Sequence, residues 1–369
     1  MRDATRVVHA GLPEPVAGEP FLPGPTLAAM YHAPGEPEAI PFTYGRYGNP
    51  TWEHYERAIG SLEGGTAVVF SSGMAAVSAV LLSLLEPRDT LTLASDAYDT
   101  TRQLALEYLR PRGIEVRMAP TAGGALYDLL PGTRLLWLET PSNPRLDVCD
   151  IAELAGHAHV HGAVVAVDNT LATALGQRPL ELGADYSVSS ATKQMTGHSD
   201  LVLGYVAAAD PARAGAILAW RRLVGSIPGP YEVWLAHRSL ATLEMRVRRQ
   251  CENAQRLAEF LAARSDVEGV RYPGLPADHA HEFARRQMRV FGCIVTFDLG
   301  SRERAEAFLD ALCLVANTTS FGGLHSSAER RGRWGDAVPE GFIRLSAGCE
   351  DAHDLVADVT RALAAAAGT

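Results

Sequence analysis

The sequence of 369 residues is nearly free of lysine. Lysine and arginine together number 33, and Lys193 is the only lysine among them. Arginine replaces lysine as a surface charge, but its guanidinium does not form an imine with an aldehyde, whereas a primary amine does. The one lysine is therefore conspicuous, and it stands in the Ser-, Thr-, Gly- and His-rich stretch 189–200.

Cysteine is also scarce, and no two cysteines form a CxxC pair. The five cysteines, at positions 149, 251, 293, 313 and 349, are scattered and odd in number. This spacing argues against a disulfide framework and a cysteine-based zinc site, and it is typical of a reducing cytosol. His157 and His161 lie one helical turn apart, but no carboxylate or cysteine completes a ligand set. We therefore predict a cytoplasmic protein without a metal site.

Long apolar runs and positive charge are missing as well. The run AVLLSLL at 79–85 is too short to cross a bilayer. The first residues, MRDATRVVHAGLPEP, carry charges and prolines where a signal peptide needs an apolar stretch. The formal charge is −10 at pH 7, so the protein lacks the excess of basic residues that nucleic-acid binding requires. We expect neither membrane insertion nor nucleic-acid binding.

The sequence does contain an alternation of short apolar runs with helix-like segments. Helical patterns cover 73–86, 101–112 and 150–161. The apolar runs occupy 66–70, 90–94, 114–118, 134–139, 163–167, 185–189 and 201–208. Apolar strands that alternate with helices predict an α/β domain over 51–230, with a mostly parallel sheet between two helical layers. Such sheets bind their ligands at the carboxyl ends of the strands.

The two ends of the chain have different patterns. Eight prolines in residues 11–41 predict an extended arm, 1–50, that packs against another surface. A long helical pattern over 231–264 marks a second boundary. Beyond it, strand patterns at 292–299 and 342–348 and helical patterns at 302–313 and 351–366 predict a smaller α+β domain, 231–369.

Three features near the predicted strand ends point to pyridoxal phosphate. Lys193 is a candidate for the amine that binds the cofactor aldehyde, unless it survived on the surface by chance. Asp168, just past a buried strand, is a candidate partner for the pyridine nitrogen, and it is equally suited to cap the next segment. The stretch SSGMAA at 71–76 joins a strand to a helix, so the amides of Gly73 and Met74 are placed to bind a phosphate.

Six blocks of the chain carry a more specific signal. They are YGRYGNPT (44–51), SSGMAA (71–76), ETPSNP (139–144), VDNT (167–170), PLELGADYSVSSATKQMTGHSD (179–200) and IRLSAGCED (343–351). In this order they resemble the Cys/Met-metabolism family of pyridoxal phosphate enzymes, which includes cystathionine γ-lyases, γ-synthases and β-lyases and methionine γ-lyases. The resemblance implies the aminotransferase-like fold type I and a homotetramer made of two catalytic dimers.

The resemblance also implies roles in cofactor binding. Lys193 would form the Schiff base, and Asp168 would hold the pyridine nitrogen. Tyr98 would stack on the ring and assist proton transfer. Residues of three blocks would bind the phosphate, with the last two residues serving a neighbouring subunit: Gly73, Met74, Ser190, Thr192, Tyr44 and Arg46.

Substrate binding would fall to three further residues. Arg344 would bind the substrate α-carboxylate through its planar fork, and Asn143 and Ser320 would lie close to the same groups. Taken singly, each residue has a plainer alternative: Tyr44 and Tyr98 suit half-buried aromatics, Asn143 suits a turn before proline, and Arg344 suits a solvated strand position.

Departures from the family pattern concern the substrate. Gln194 follows the lysine where an aromatic is usual, and Thr100 stands where methionine γ-lyases have a cysteine. Thr319 and His325 stand at positions that are commonly acidic, and the stretch 326–344 is shortened. Methionine is accordingly the less favoured substrate.

These features together favour a carbon–sulfur lyase that cleaves L-cystathionine by γ-elimination into cysteine, 2-oxobutanoate and ammonia, as in transsulfuration. The alternative is γ-replacement on an activated homoserine, as in cystathionine γ-synthases, because the same residues serve both reactions. A transaminase and a catalytically silent cofactor-binding protein are the remaining hypotheses. Lysine, aspartate, tyrosine and arginine together argue against a silent protein.

Overall fold

Two β-sheets organise the chain, and the computed structural model describes residues 1–368. The strands are β1 (Thr66–Phe70), β2 (Thr90–Ala94), β3 (Glu115–Ala119), β4 (Leu135–Glu139), β5 (Val164–Asp168), β6 (Tyr186–Ser189), β7 (Gly204–Ala208), β8 (Glu268–Arg271), β9 (Ile294–Asp298), β10 (Ala316–Asn317), β11 (Ser327–Arg330) and β12 (Phe342–Ser346). The larger sheet has the order β1-β7-β6-β5-β4-β2-β3. β7 runs antiparallel to β1 and β6, and the other pairs are parallel. The predicted α/β fold with a mostly parallel sheet is confirmed.

Helices connect the strands and cover the sheets. They are α1 (Asp3–His9), α2 (Pro50–Glu63), α3 (Gly73–Leu84), α4 (Asp99–Gln103), α5 (Ala125–Asp128), α6 (Ile151–Val160), α7 (Thr173–Gly176), α8 (Pro211–Val224), α9 (Pro230–Leu240), α10 (Leu243–Ala262), α11 (His281–Gln287), α12 (Arg302–Ala311) and α13 (Ala352–Ala366). A π-helical segment, Leu104–Leu109, continues α4. Along the described residues, none of these helices has both the length and the apolar character that a bilayer crossing demands.

Strand β1 shows how both faces of the larger sheet become buried. Val68 and Phe70 join the cluster that contains α3 and α8, whereas Ala67 and Val69 join the cluster that contains α2 and α9. Because side chains alternate along a strand, helices on both faces require apolar residues at nearly every position. This explains why the strands of this sheet form almost uninterrupted apolar runs in the sequence.

The prediction of one helix over 231–264 is wrong, because two helices occupy the range. α9 ends at Leu240 and α10 begins at Leu243. Thr242 Oγ1 donates a hydrogen bond to the Ser239 carbonyl at 3.2 Å, and Arg246 Nη2 donates to the same oxygen at 3.0 Å. These side-chain donors compete for an acceptor that a continuous helix would use for its own amides.

The smaller sheet has the order β10-β11-β12-β9-β8 and is antiparallel except for the β10–β11 pair. Helices α10, α12 and α13 pack on it around Phe297, Phe308 and Leu355. The patterns at 292–299 and 342–348 correspond to β9 and β12. Strands β8, β10 and β11 are short and partly charged, so they carry no apolar alternation that sequence reasoning would detect. The domain boundaries at residues 50 and 230 stay a prediction.

The N-terminal segment differs from a fully extended arm at its start. Helix α1 packs against α2 and α10, and its Val7 is buried in the core of the larger sheet. Residues 10–36 then run in turns and extended backbone, with a β-bridge between Met30 and Tyr44. Phe21, Leu27 and Met30 leave more than half of their surface exposed.

The carboxyl edge of the larger sheet gathers the polar residues of three strands. Glu139 is the last residue of β4 and lies in register with Asp168, the last residue of β5. Lys193 follows the end of β6 by four residues. Parallel strands end side by side, so residues distant in sequence meet at this edge. The smaller sheet adds Arg344 from the middle of β12.

The core of the smaller sheet yields a stability test. Phe308→Ala empties a fully buried position that packs edge-on against Phe297. We expect the free energy of unfolding to fall by about 3–5 kcal/mol, whereas Leu314→Ala, at a half-exposed position, should change it by less than about 0.5 kcal/mol. Urea denaturation followed by circular dichroism measures both. Equal effects of the two substitutions would contradict this packing.

Candidate active site

A cavity of about 490 Å³ lies at the carboxyl edge of the larger sheet and is also lined by residues of the smaller sheet. Ten of the predicted site residues line it: Gly73, Met74, Tyr98, Asn143, Asp168, Ser190, Thr192, Lys193, Ser320 and Arg344. Tyr44 and Arg46 do not. The fold therefore brings residues from both sheets to one cavity, whereas Tyr44 and Arg46, in the block 44–51, lie outside it.

The first turn of α3 presents backbone amides to this cavity. Ser72 caps the helix by accepting the Ala75 amide on Oγ at 3.0 Å. Among residues 1–368, the amides of Gly73 and Met74 have no acceptor. A Cβ at position 73 would lie 2.7 Å from the Ser190 Cβ, so glycine permits the close approach of the next segment. Free amides at the positive end of a helix dipole suit a phosphate.

The two hydroxyls that follow β6 differ in their freedom to bind a ligand. The Ser190 side chain faces the first turn of α3. Thr192 Oγ1 donates to the Leu203 carbonyl at 3.1 Å and accepts the Leu203 amide at 3.0 Å. To donate to a phosphate, Thr192 must give up that carbonyl. Ser190 is the better-placed donor, and the phosphate-binding role of Thr192 stays a prediction.

The Lys193 side chain lies inside the cavity and not on the surface. Its Nζ donates to Ser320 Oγ at 2.7 Å. Burial and the Arg344 guanidinium lower the pKa of Lys193 from 10.5 to about 8, against the opposing pull of two nearby carboxylates. A lysine with this pKa is partly neutral near physiological pH and serves as a nucleophile or a base. Ser320 itself has φ +79°, a strained conformation of the kind that clusters at functional sites.

Buried side chains from α10 support the lysine segment. Arg246 donates to the carbonyls of Gln194 at 2.7 Å and Met195 at 3.4 Å. A Cβ at Gly197, where φ is +72°, would lie 1.8 Å from Arg246 Nη1, so only glycine fits there. Gln194 is buried and donates to Gln250 Oε1 at 3.2 Å. The unusual glutamine thus joins the lysine segment to α10 and does not line the cavity.

Asp168 keeps one carboxylate oxygen for a ligand. Its Oδ1 accepts both the Thr170 amide at 3.0 Å and the Thr170 hydroxyl at 2.6 Å. Burial raises the pKa of Asp168, although these two hydrogen bonds and the Lys193 ammonium oppose the shift. A protonated pyridine nitrogen beside Oδ2 would favour the ionised carboxylate. The capping role and the cofactor role are therefore compatible.

Glu139 is a second buried carboxyl group at the sheet edge. Burial, and next the Asp168 carboxylate, raise the pKa of Glu139 well above its usual range. Two adjacent carboxylates do not both ionise easily in a low dielectric, so a protonated Glu139 leaves the charge on Asp168. Glu139 Oε2 also accepts the Tyr98 amide at 2.6 Å, which anchors the tyrosine at the start of α4.

Arg344 is buried, which rules out a solvated strand position. Its Nη1 donates to Asn143 Oδ1 at 2.6 Å, and its Nη2 contacts Glu329 Oε1 and the Ser320 carbonyl. Burial and the neighbouring Arg331 lower the pKa of Arg344 to about 10, so it remains a cation at neutral pH. A buried guanidinium at a cavity wall suits a substrate carboxylate.

Glu329, Arg331 and Trp334 are residues of this region that sequence reasoning missed. Arg331 and Trp334 line the cavity, and Glu329 pairs with Arg344 behind its wall. They belong to the shortened stretch 326–344, which has no periodicity. The one signal was a cluster of arginines and acids directly before an apolar strand.

Tyr44 and Arg46 lie on the surface near the end of α8. Arg46 donates to the Arg222 carbonyl, and its guanidinium lies 4.7 Å from the centre of the Tyr47 ring. Tyr44 is 44% exposed. Within one chain these two residues are therefore not in position to bind a ligand of the cavity.

The residues present fit pyridoxal phosphate. The α3 terminus offers free amides to a phosphate, Asp168 offers a buried carboxylate to the ring nitrogen, and Lys193 offers an amine to the aldehyde. All three line the same cavity. Among residues 1–368, no cluster of three or more His, Cys, Asp or Glu side chains is arranged to hold a metal ion.

Comparisons with known proteins agree with this geometry. The family model described as "Cys/Met metabolism PLP-dependent enzyme" matches residues 5–364. A Streptomyces coelicolor protein named "Putative cystathionine gamma-lyase" is 59% identical over 98% of this chain and 93% of its own length. A cystathionine gamma-synthase of Mycobacterium tuberculosis is 38% identical over 98% of this chain and 96% of its own.

Solved structures show the same fold. The crystal structure of cystathionine gamma synthase from Xanthomonas oryzae pv. oryzae in complex with cystathionine superposes with a TM-score of 0.96 at 32% identity. The match covers 100% of this chain and 99% of that one. The similarity extends over both sheets.

The lowered pKa of Lys193 predicts how the cofactor-free protein takes up pyridoxal phosphate. Only the neutral amine reacts, so we expect the attachment rate to rise with pH around a midpoint near 8 and not near the ordinary value of 10.5. Stopped-flow absorbance, with borohydride trapping and peptide mapping, measures the rate at position 193. Reaction of the cofactor with a free lysine derivative corrects for its own titration, and Lys193→Ala should abolish the trapped product. A midpoint at the ordinary lysine value would contradict the prediction.

Proposed function

The chain belongs to the Cys/Met-metabolism family of pyridoxal phosphate-dependent enzymes, and within it we propose a carbon–sulfur lyase that cleaves L-cystathionine by γ-elimination. Cystathionine and water give cysteine, 2-oxobutanoate and ammonia. The observation that carries the proposal is one cavity holding an amine of lowered pKa, Lys193, and a buried guanidinium, Arg344. The lyase name of the relative at 59% identity supports elimination.

The residues of the cavity divide the work of this reaction. Arg344 and Asn143 bind the substrate α-carboxylate, which orients Cα toward Lys193. Bound pyridoxal phosphate supplies an electron sink conjugated with Cα. With the cofactor bound, the free Lys193 amine would remove the Cα proton and, after releasing it, take a second proton from Cβ. The Cγ–sulfur bond breaks, and the Tyr98 hydroxyl protonates the departing thiolate.

Neighbouring groups keep these residues in the required protonation states. A protonated Glu139 leaves the charge on Asp168, which stabilises the cationic ring nitrogen. Ser320 accepts a hydrogen bond from Lys193 and so holds the amine toward the cavity. Asn143, fixed by the Arg344 Nη1, closes the wall beside the carboxylate site.

The second candidate is γ-replacement, in which cysteine adds to an activated homoserine. Its support is the cystathionine gamma-synthase name of relatives such as the 38% identical mycobacterial protein. Lys193, Tyr98 and Arg344 serve this reaction equally well, because both reactions begin with loss of the Cα and Cβ protons. The two differ in the leaving group at Cγ and in the nucleophile that follows.

A product assay separates the two reactions. We expect the holoenzyme to release 2-oxobutanoate and a thiol from L-cystathionine, and Lys193→Ala to release neither, because the base is lost. The measurement is a lactate dehydrogenase-coupled 2-oxo acid assay together with thiol titration. Cystathionine made from O-acylhomoserine plus cysteine, with no 2-oxobutanoate from cystathionine, would overturn elimination in favour of replacement.

We further propose that the catalytic unit is a dimer within a tetramer, in which Tyr44 and Arg46 reach the phosphate of the neighbouring subunit. Their distance from the cavity of their own chain leaves them free for this role. The exposed apolar residues of the N-terminal segment, among them Phe21 and Met30, supply a surface that a second subunit would bury.

Mixing two inactive variants tests the shared site. Arg46→Ala and Lys193→Ala should each lose most activity, since one weakens phosphate binding and the other removes the base. When the two variants are unfolded and refolded together, about half of the dimers are hybrids, and each hybrid carries one intact site of its two. Activity should therefore recover to about a quarter of wild type. Each variant refolded alone is the control. No recovery in mixtures shown to contain hybrid dimers would contradict a shared site.

A further inference from the structure

A buried carboxylate joins two parts of the cavity wall that the smaller sheet contributes. Glu329 on β11 lies in register with Arg344 on β12, and its side chain is 1% exposed. Its Oε1 accepts from Arg344 and, at 2.9 Å, from Arg331 Nη1. Its Oε2 accepts from Trp334 Nε1 at 2.7 Å. One carboxylate thus contacts the proposed substrate-carboxylate site and the turn that follows β11.

That turn forms a second part of the wall. The short 3-10 helix Arg331–Trp334 places the side chains of its first and last residues in the cavity lining. Arg331 also pairs with Asp336 at 2.6 Å. Trp334 is 55% exposed; its ring is held at the nitrogen, and the Arg333 guanidinium lies 5.3 Å from its centre. A ligand extending outward from Arg344 would meet this indole and this guanidinium.

The groups around Glu329 favour its ionised carboxylate. Burial favours the neutral acid, but Arg344, Arg331 and the hydrogen bond from Trp334 outweigh it, so the pKa of Glu329 lies below its usual range. Without this charge, two buried guanidinium groups would face each other with only Asp336 to balance them. Removal of the charge should therefore displace both arginines.

We propose that Glu329 is a positioning residue that aligns Arg344 with the substrate α-carboxylate and, through Trp334 and Arg331, fixes a wall that selects substrates extending beyond Cγ to a distal carboxylate. The inference rests on the proposed function, because it takes Arg344 as the group that binds the α-carboxylate. The Trp334 ring suits an aliphatic chain, and the neighbouring Arg331 guanidinium suits an anion at its end.

The first experiment measures recognition of the α-carboxylate without turnover. L-alanine and L-alaninamide differ in the carboxylate, and their binding to the holoenzyme is followed by the visible absorbance of the cofactor. In Glu329→Gln we expect the dissociation constant of alanine to rise by about tenfold or more, while that of alaninamide changes by less than about twofold. A general loss of structure would weaken both ligands alike.

Glu340→Gln is the matched control, since Glu340 is 71% exposed and pairs with Arg330 outside the cavity. It should leave both dissociation constants at their wild-type values. The proposed role of Glu329 is overturned if the ratio of the two constants in Glu329→Gln equals the wild-type ratio. Neither ligand has a group at Cγ to eliminate, so the result does not depend on which reaction the enzyme catalyses.

The second experiment tests the wall at its most exposed residue, where substitution spares the core. L-2-aminobutyrate ends at Cγ, and L-2-aminopimelate continues to a distal carboxylate. We expect the wild-type holoenzyme to bind the longer ligand more tightly, and Trp334→Ala to lose about tenfold of that preference. Trp334→Phe keeps an aromatic ring but lacks the N–H that donates to Glu329. It should lose a smaller part of the preference for the longer ligand. The proposed selection would be overturned if Trp334→Ala kept the wild-type preference for L-2-aminopimelate, or if the wild type showed no such preference.

Discussion

Two positive charges, on Lys193 and Arg344, share one cavity between the sheets, and the site depends on how their repulsion is balanced. Burial and, next, Arg344 lower the pKa of Lys193, whereas Glu329 and Asp168 raise it. A balance shifted toward the carboxylates would leave Lys193 a permanent ammonium, unable to attack the cofactor or remove a proton. Because Lys193 follows a strand of the larger sheet and Arg344 comes from the smaller one, the lowered pKa of the amine depends on both sheets.

Part of the connection between the two sheets is polar. Gln194, next to the lysine, donates to Gln250, which in turn donates to the Gly322 and Gly323 carbonyls beside the Ser320 turn. Buried polar groups of this kind fix one arrangement, because any displacement leaves them without partners. The amine and the hydroxyl that holds it are thus set by one hydrogen-bonded chain, in which a glutamine replaces the aromatic expected from the family.

Much of this arrangement could be predicted from the sequence, because parallel strands buried on both faces form apolar runs and their carboxyl ends meet. The strand pattern points to Asp168, and the scarcity of lysine points to Lys193. The break between α9 and α10 was not, since it depends on Arg246 reaching the Ser239 carbonyl from the next helix. Glu329 was missed for the same reason. Its contacts are with residues on the neighbouring strand and in an aperiodic turn, and no local sequence pattern predicts such contacts.

Elimination and replacement share every step up to cleavage at Cγ, so residues near Cα cannot distinguish them. The distinction must come from groups that meet the leaving group and the incoming nucleophile, which lie farther out. In this chain that region contains Thr319, Arg331 and Trp334, none of which is acidic, and the Glu329 carboxylate behind them is paired with Arg331. The Arg331 guanidinium, although paired with Glu329 and Asp336, favours an anionic distal group over an ammonium. The Trp334 indole packs against the aliphatic part of such a ligand. We therefore expect the short turn after β11, where the sequence departs from the family pattern, to influence substrate choice.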